Sequence, residues 1–189
     1  MKSVTILILL ILTATISLSQ ENNKIFYDDY IECFFDNNSK QALLVYDSIN
    51  GNLIKSLTID RRKQKYSWYK IALQETIDGW AKIENIMIAP IPTDSINNEL
   101  RVLKDKWIKI ENLKFNTTEV SISDSLFIPF YTEPDVNSEL TCKSGIFLKL
   151  TLIETKGFWS KVSFELDGTN YSAWIAKEYY CAYPWTACP

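Results

Sequence analysis

The stretch Gly157-Phe158-Trp159-Ser160-Lys161-Val162-Ser163-Phe164-Glu165-Leu166-Asp167-Gly168 sets the fold class. In an extended chain, side chains two apart share a face. Phe158, Val162, Phe164 and Leu166 therefore fall on one side, and Trp159, Lys161 and Glu165 on the other. Asp-Gly then supplies a turn. The core of this stretch, Trp-x-Lys followed by Ile or Val, also occurs at Trp68-Tyr69-Lys70-Ile71, Trp80-Ala81-Lys82-Ile83 and Trp107-Ile108-Lys109-Ile110. Each copy reads as a strand with Trp and Lys on one face. A face that carries Lys is normally wet, so the tryptophans are expected on strand surfaces, available for recognition or for contacts between modules.

Outward from these copies the chain alternates short strands and turns. Strands are predicted at Leu43–Tyr46, Leu53–Ile59, Tyr66–Leu73, Trp80–Ile88, Ser125–Tyr131, Ile146–Glu154, Gly157–Leu166 and Tyr171–Ala176. Turns are predicted at Asn50-Gly51, Asp78-Gly79, Glu133-Pro134-Asp135 and Asp167-Gly168. A short helical turn after Thr93 or Asp94 follows Pro90 and Pro92. Residues 105–114, with Trp107, form an additional strand. Arg61-Arg62-Lys63-Gln64-Lys65 reads as the solvated tip of a hairpin. Residues 21–38 fit either a short helix or an irregular strand.

The two halves match in order. Tyr46, Trp68-x-Lys-Ile and Gly79-Trp80 correspond to Tyr131, Trp159-x-Lys-Val and Ala173-Trp174. This is an internal repeat.

Bulk properties narrow the function. Residues 1–19 have the layout of a secretory signal peptide: Lys2, an apolar run from Val4 to Ile16, then Ser17-Leu18-Ser19. The run is short for a transmembrane helix, so an exported protein, periplasmic or extracellular, with no membrane span after cleavage is expected. The net charge of −3 disfavours nucleic acid as a partner. The chain contains no His. That excludes Ser-His-Asp and Cys-His machinery within it, and zinc sites built on His. We expect no enzyme and no cofactor or metal. The remote alternative is a hydrolase using carboxylates alone, with Asp28/Asp29 or Asp78/Glu84 as candidates.

Cys33, Cys142, Cys181 and Cys188 are an even set in an exported chain, which implies disulfides. Cys181–Cys188 would close a turn and stabilise by about 2.5 kcal/mol in the chain-entropy model. Cys33–Cys142 would remain as the second bridge.

The order of apolar strand, Tyr, turn, W-x-K-V strand and Gly-Trp strand resembles the bacterial SH3-like domain. Tyr131-Thr132-Glu133-Pro134 resembles the family's early Y-x-x-P turn, and Phe158–Val162 and Ser172–Ile175 its later strands. The resemblance covers residues 40–90 and 122–180. The first copy lacks the Pro, and Ala173 stands where the family has Gly. The resemblance implies an all-β protein of two tandem small barrels: an N-terminal segment at 20–39, a first module at 40–104 and a second at 105–189. It also implies non-catalytic binding of a cell-wall (peptidoglycan) or extended peptide ligand. Tyr46, Trp68 and Trp80 would line one groove, Tyr131, Trp159 and Trp174 another, and Trp185 would be an exposed anchor. A structural or inhibitory protein of the immunity type is the alternative.

Overall fold

The computed structural model describes residues 29–36, 41–60, 66–90, 94–118 and 127–185. Residues 1–28, which include the segment read as a signal peptide and Asp28, the basic run at 61–65 and Cys188 lie outside the described residues. The chain is mostly β. Its strands are β1 (Ile31–Phe35), β2 (Leu43–Tyr46), β3 (Leu53–Leu57), β4 (Trp68–Ile77), β5 (Trp80–Ala89), β6 (Trp107–Lys109), β7 (Leu113–Thr117), β8 (Ile128–Tyr131), β9 (Leu140–Ser144), β10 (Lys149–Lys156), β11 (Trp159–Leu166), β12 (Thr169–Ala176) and β13 (Tyr180–Cys181). One helix, α1 (Asp94–Arg101), lies between β5 and β6. The N-terminal segment resolves to strand: Ile31, Cys33 and Phe35 alternate into the core.

All thirteen strands belong to one antiparallel sheet, in the order β3-β2-β6-β5-β4-β1-β7-β10-β11-β12-β8-β9, with β13 on β7. Read outward from the β1/β7 junction, the first half runs 1-4-5-6-2-3 and the second runs 7-10-11-12-8-9, the same order with six added to each number. The internal repeat is thus present in the topology. The expectation of two tandem barrels is corrected: pairing of Phe34 with Lys114 and Phe35 with Leu113 joins the two halves into one sheet.

The repeat is in register at single residues. A bulge falls between Leu73 and Glu75 of β4, and another between Leu152 and Glu154 of β10. Beyond them Glu75 faces Lys82 as Glu154 faces Lys161. The two-residue turns Asp78-Gly79 and Asp167-Gly168 have positive φ at both positions, as tight hairpins between twisted strands require.

This register corrects the repeat alignment expected from the sequence. Trp80 is the counterpart of Trp159, not Trp68. The Trp107 strand completes the first half by pairing with β2 and β5, so a boundary at residue 105 would cut that half. Trp107 takes the place that Trp174 has in the second half.

Tyr69, Ile71, Leu73, Ile83, Val45 and Ile108 from the first half meet Leu148, Leu150, Leu152, Val162, Phe130 and Ile175 from the second in one continuous core. Phe115 on β7 is fully buried between them, with the Tyr180 ring 4.4 Å away.

The proposed Cys33–Cys142 bridge is absent. Both thiols are free, because β1 and β9 lie six positions apart in the sheet order and a disulfide needs Cα atoms within about 7 Å. The Cys33 thiol points at the Ile71 carbonyl oxygen, 3.6 Å away. Cys181 is disulfide-bonded.

Two expectations follow. Phe115→Ala removes a ring shared by both halves and should lower stability by about 3–5 kcal/mol, with one calorimetric transition for the whole chain. Two separated transitions would mean that the halves fold independently. Burial raises the thiol pKa of Cys33, and less completely buried Cys142 shifts the same way. Alkylation mapped by mass spectrometry should therefore label Cys142 slowly in the native protein, and Cys33 only after denaturation.

Candidate functional site

The repeated Trp-x-Lys signature has a geometric cause. In antiparallel neighbours β5 and β6, Trp80 faces Lys109 and Lys82 faces Trp107. Each indole thus lies opposite the neighbouring strand's ammonium. The Lys109 Nζ sits 5.6 Å from the centre of the Trp80 ring, within cation–π range. Tyr46 on β2 faces Trp107 and meets the Trp80 ring edge-on at 5.1 Å. The second half repeats the pattern with one change. Trp174 faces Lys161, whose Nζ lies 5.9 Å from the ring, and Tyr131 meets Trp159 edge-on at 5.5 Å. Trp159, however, faces Ala176, where the first half has Lys109.

This arrangement corrects the expectation of wet tryptophans. Trp80 and Trp174 are each 6% exposed. The Lys109 and Lys161 ammonium groups lie over the Trp80 and Trp174 rings, within cation–π range. Trp159 and Trp107 are half-buried, as are Tyr46 and Tyr131. Trp68 is buried on a different part of the sheet, against Phe34, Ala89 and Tyr183. It does not join Tyr46 and Trp80 in a groove. Trp185 is exposed and touches the Tyr66 ring at 6.4 Å.

Beside the Tyr46–Trp80 pair lies a cleft of about 390 Å³, within the range of ligand pockets. It is lined by Phe35, Gln41–Leu44, Tyr46, Lys109, Glu111 and Asn112. Phe35 and Leu43 are buried core residues that give it an apolar floor. The rim carries an ammonium at Lys109 and a carboxylate at Glu111. Asn112 donates its side-chain amide to the Gln41 side-chain oxygen at 3.2 Å, which ties the wall before β2 to the short 3-10 turn Ile110–Asn112. The Asn112 carbonyl also accepts from the Asp36 N–H at 2.8 Å. The backbone around the cleft is thus fixed from three segments.

The equivalent place in the second half is built differently. A 3-10 turn again follows the sixth strand, Lys177–Tyr179 after β12. Glu178 matches Glu111, but Tyr179 stands for Asn112, Ala176 for Lys109 and Phe127 for Ala42. Burial, with the charges of Glu178 and Tyr131, raises the Tyr179 phenol pKa. The second half has a bulky ring and no ammonium where the first has an open cleft.

Of the residues expected to bind ligand, only Tyr46 lines the cleft, with Trp80 directly behind it. Lys109, Glu111, Asn112 and Gln41 were not anticipated. Their signal was the run Lys109-Ile110-Glu111-Asn112 after Trp107, which differs from its repeat partner at the positions that open the cleft. The carboxylates considered for hydrolysis are otherwise engaged or placed. Glu84 is nearly buried and accepts from Lys104 at 2.5 Å and from Gln74 at 2.9 Å. Asp78 sits in the β4–β5 turn. Asp29 lines a separate cleft of about 260 Å³ with Glu75 and Phe158. Among the described residues, no group of three or more His, Cys, Asp or Glu is placed to hold a metal ion.

No family model matches the chain, and no curated protein matches it. Among solved structures, NlpC2 from Trichomonas vaginalis is similar over 85% of this chain at 14% identity, with a TM-score of 0.31. NlpC1 from Trichomonas vaginalis is similar over 82% at 15% identity, with the same TM-score. The chain spans 50% and 46% of those two proteins' lengths. At that TM-score the likeness carries no argument about fold or activity.

Truncating the tryptophans separates packing from exposure. Trp80→Ala should cost about 3–5 kcal/mol in urea unfolding, and Trp185→Ala should change stability by no more than about 0.5 kcal/mol. Equal small effects would put Trp80 back on a wet surface.

Proposed function

We propose that this chain is an exported, non-catalytic binding protein whose two halves are SH3-like units, and that its first half binds a cell-wall or extended peptide ligand in the cleft beside Tyr46. The observation that carries this is the cleft itself. It joins an apolar floor of Phe35, Leu43 and Leu44 to an aromatic wall and a rim bearing one positive and one negative group. An extended peptide offers what such a surface recognises: apolar side chains for the floor and amide groups for the carboxamides of Gln41 and Asn112. Charged ends or side chains would pair with Lys109 and Glu111. Peptidoglycan stem peptides belong to this chemical class.

Three features support the SH3-like reading of each half. The halves share the strand order, the W-x-K copies at Trp80 and Trp159 fall at matching positions, and each half ends in a 3-10 turn that leads into a strand paired with that half's first strand. In the first half this strand is β7 on β1; in the second it is β13 on β7. Export, to the periplasm or beyond, rests on the layout of residues 1–19.

The test is co-sedimentation of the mature chain with purified sacculi, beside Tyr46→Ala and Lys109→Glu. Both substitutions lie at half-buried or exposed positions. Saturable binding by the parent, weakened about tenfold or more by each variant, is the expected result. Binding that neither variant changes would move the site elsewhere, and no binding by the parent would overturn the cell-wall ligand.

A further inference from the structure

Trp68 is covered by the chain's own C-terminal segment. Its indole N–H donates to the Ala182 carbonyl at 3.1 Å, and the Tyr183 ring meets it edge-on at 5.1 Å. With Phe34 and Ala89 they form an apolar cluster separate from the main core. The Asn116 side-chain amide donates to the Tyr183 carbonyl at 2.6 Å. A short aromatic segment from one half thus docks on the outer face of the other.

The repeat register identifies the counterpart of Trp68. In the first half, Lys70, Ile71 and Ala72 face Phe34, Cys33 and Glu32 of β1. In the second, Lys149, Leu150 and Thr151 face Asn116, Phe115 and Lys114 of β7. Two residues before Lys70 stands Trp68, and two before Lys149 stands Phe147. The next positions agree as well: Tyr69 and Leu148 both enter the core. Yet Phe147 is 46% exposed. Beside it, Ile146 is 56% exposed, and Phe127, 55% exposed, lies against Gly145. Phe147, with Ile146 beside it, is left in water at the position where the other half seats a peptide segment, and Phe127, the repeat partner of Ala42, extends this apolar surface from the side of Gly145.

We propose that Phe127, Ile146 and Phe147 form a second docking strip, and that its occupant is a short extended peptide segment carrying an aromatic side chain, of the chemistry that Ala182-Tyr183 brings to Trp68. The occupant is argued from the structure itself: the same position of the same unit is filled by such a segment in the first half. Phe147 has no N–H to offer a carbonyl, so recognition here rests on ring contact and apolar area. The strip is separate from the cleft at Tyr46 and does not depend on its ligand.

The experiment titrates a fluorescently labelled peptide with the sequence of residues 180–185, carrying Cys181→Ser, into the full chain and reads anisotropy. Saturable binding is expected, weakened about tenfold or more by Phe147→Asp in the protein and by Tyr183→Ala in the peptide. Because Phe147 is exposed, the thermal midpoint of Phe147→Asp should match the parent, which separates lost docking from misfolding. No saturable binding at millimolar peptide would overturn the proposal. So would binding that survives Phe147→Asp but fails with Trp68→Ala, since the peptide would then be displacing the chain's own tail. Sedimentation of the parent alone gives the remaining outcome. A dimer that dissociates on Phe147→Asp would make a second copy of the chain the occupant, and would overturn the peptide reading.

Discussion

Strand β7 bears the greatest structural demand in this molecule. It pairs with β1 at Leu113 and Lys114, with β10 from Lys114 to Asn116, and with β13 at Asn116 and Thr117. It therefore ends the first half and begins the second. Leu113 and Phe115 point into the common core and are fully buried, while Asn116 anchors the C-terminal segment on the far side. Two repeats joined by a linker could each fold alone. Two repeats that share a strand cannot separate without leaving backbone groups unpaired and a split core in water. The single sheet follows from that sharing.

The second ordering principle is the exchange of Trp and Lys between neighbouring strands. Antiparallel pairing turns a W-x-K pattern on two adjacent strands into a lattice in which every ring lies opposite an ammonium. On a Lys-bearing face the ammonium of Lys109 or Lys161 lies over the neighbouring indole, which lets a cationic face carry largely buried tryptophans. The exchange also shows where the halves have diverged. At the positions that Lys109 and Asn112 hold on the cleft rim, the second half carries Ala176 and Tyr179. The two halves thus differ most at the cleft beside Tyr46.

Much of this was legible in the sequence, and the misses have physical causes. The all-β class, the turns at Asp78-Gly79 and Asp167-Gly168 and the existence of a repeat follow from period-two alternation and turn chemistry. The repeat alignment did not, because Trp68 and Trp80 carry the same local pattern. Only cross-strand partners reveal that Trp68 lies on β4, beneath a tail more than a hundred residues away, while Trp80 matches Trp159. The role of Trp107 was hidden for the same reason: a three-residue strand acquires its partners from β2 and β5. Burial of the tryptophans was misjudged because alternation gives a face but not what covers it. The cleft residues Gln41, Lys109, Glu111 and Asn112 come from two segments that meet only in the folded chain. The Cys33–Cys142 pairing failed because counting cysteines cannot place β1 and β9 in the sheet.

The central claim is that one repeated unit has been specialised, so that a stem peptide enters the cleft beside Tyr46 and not its counterpart beside Tyr131. Backbone NMR with a soluble peptidoglycan stem peptide addresses it most directly. The account predicts shift changes at residues 41–46 and 109–112, with 128–131 and 176–179 unmoved. Equal changes at both sets would contradict it and make the halves equivalent sites, and changes only around Tyr131 and Tyr179 would reverse the assignment.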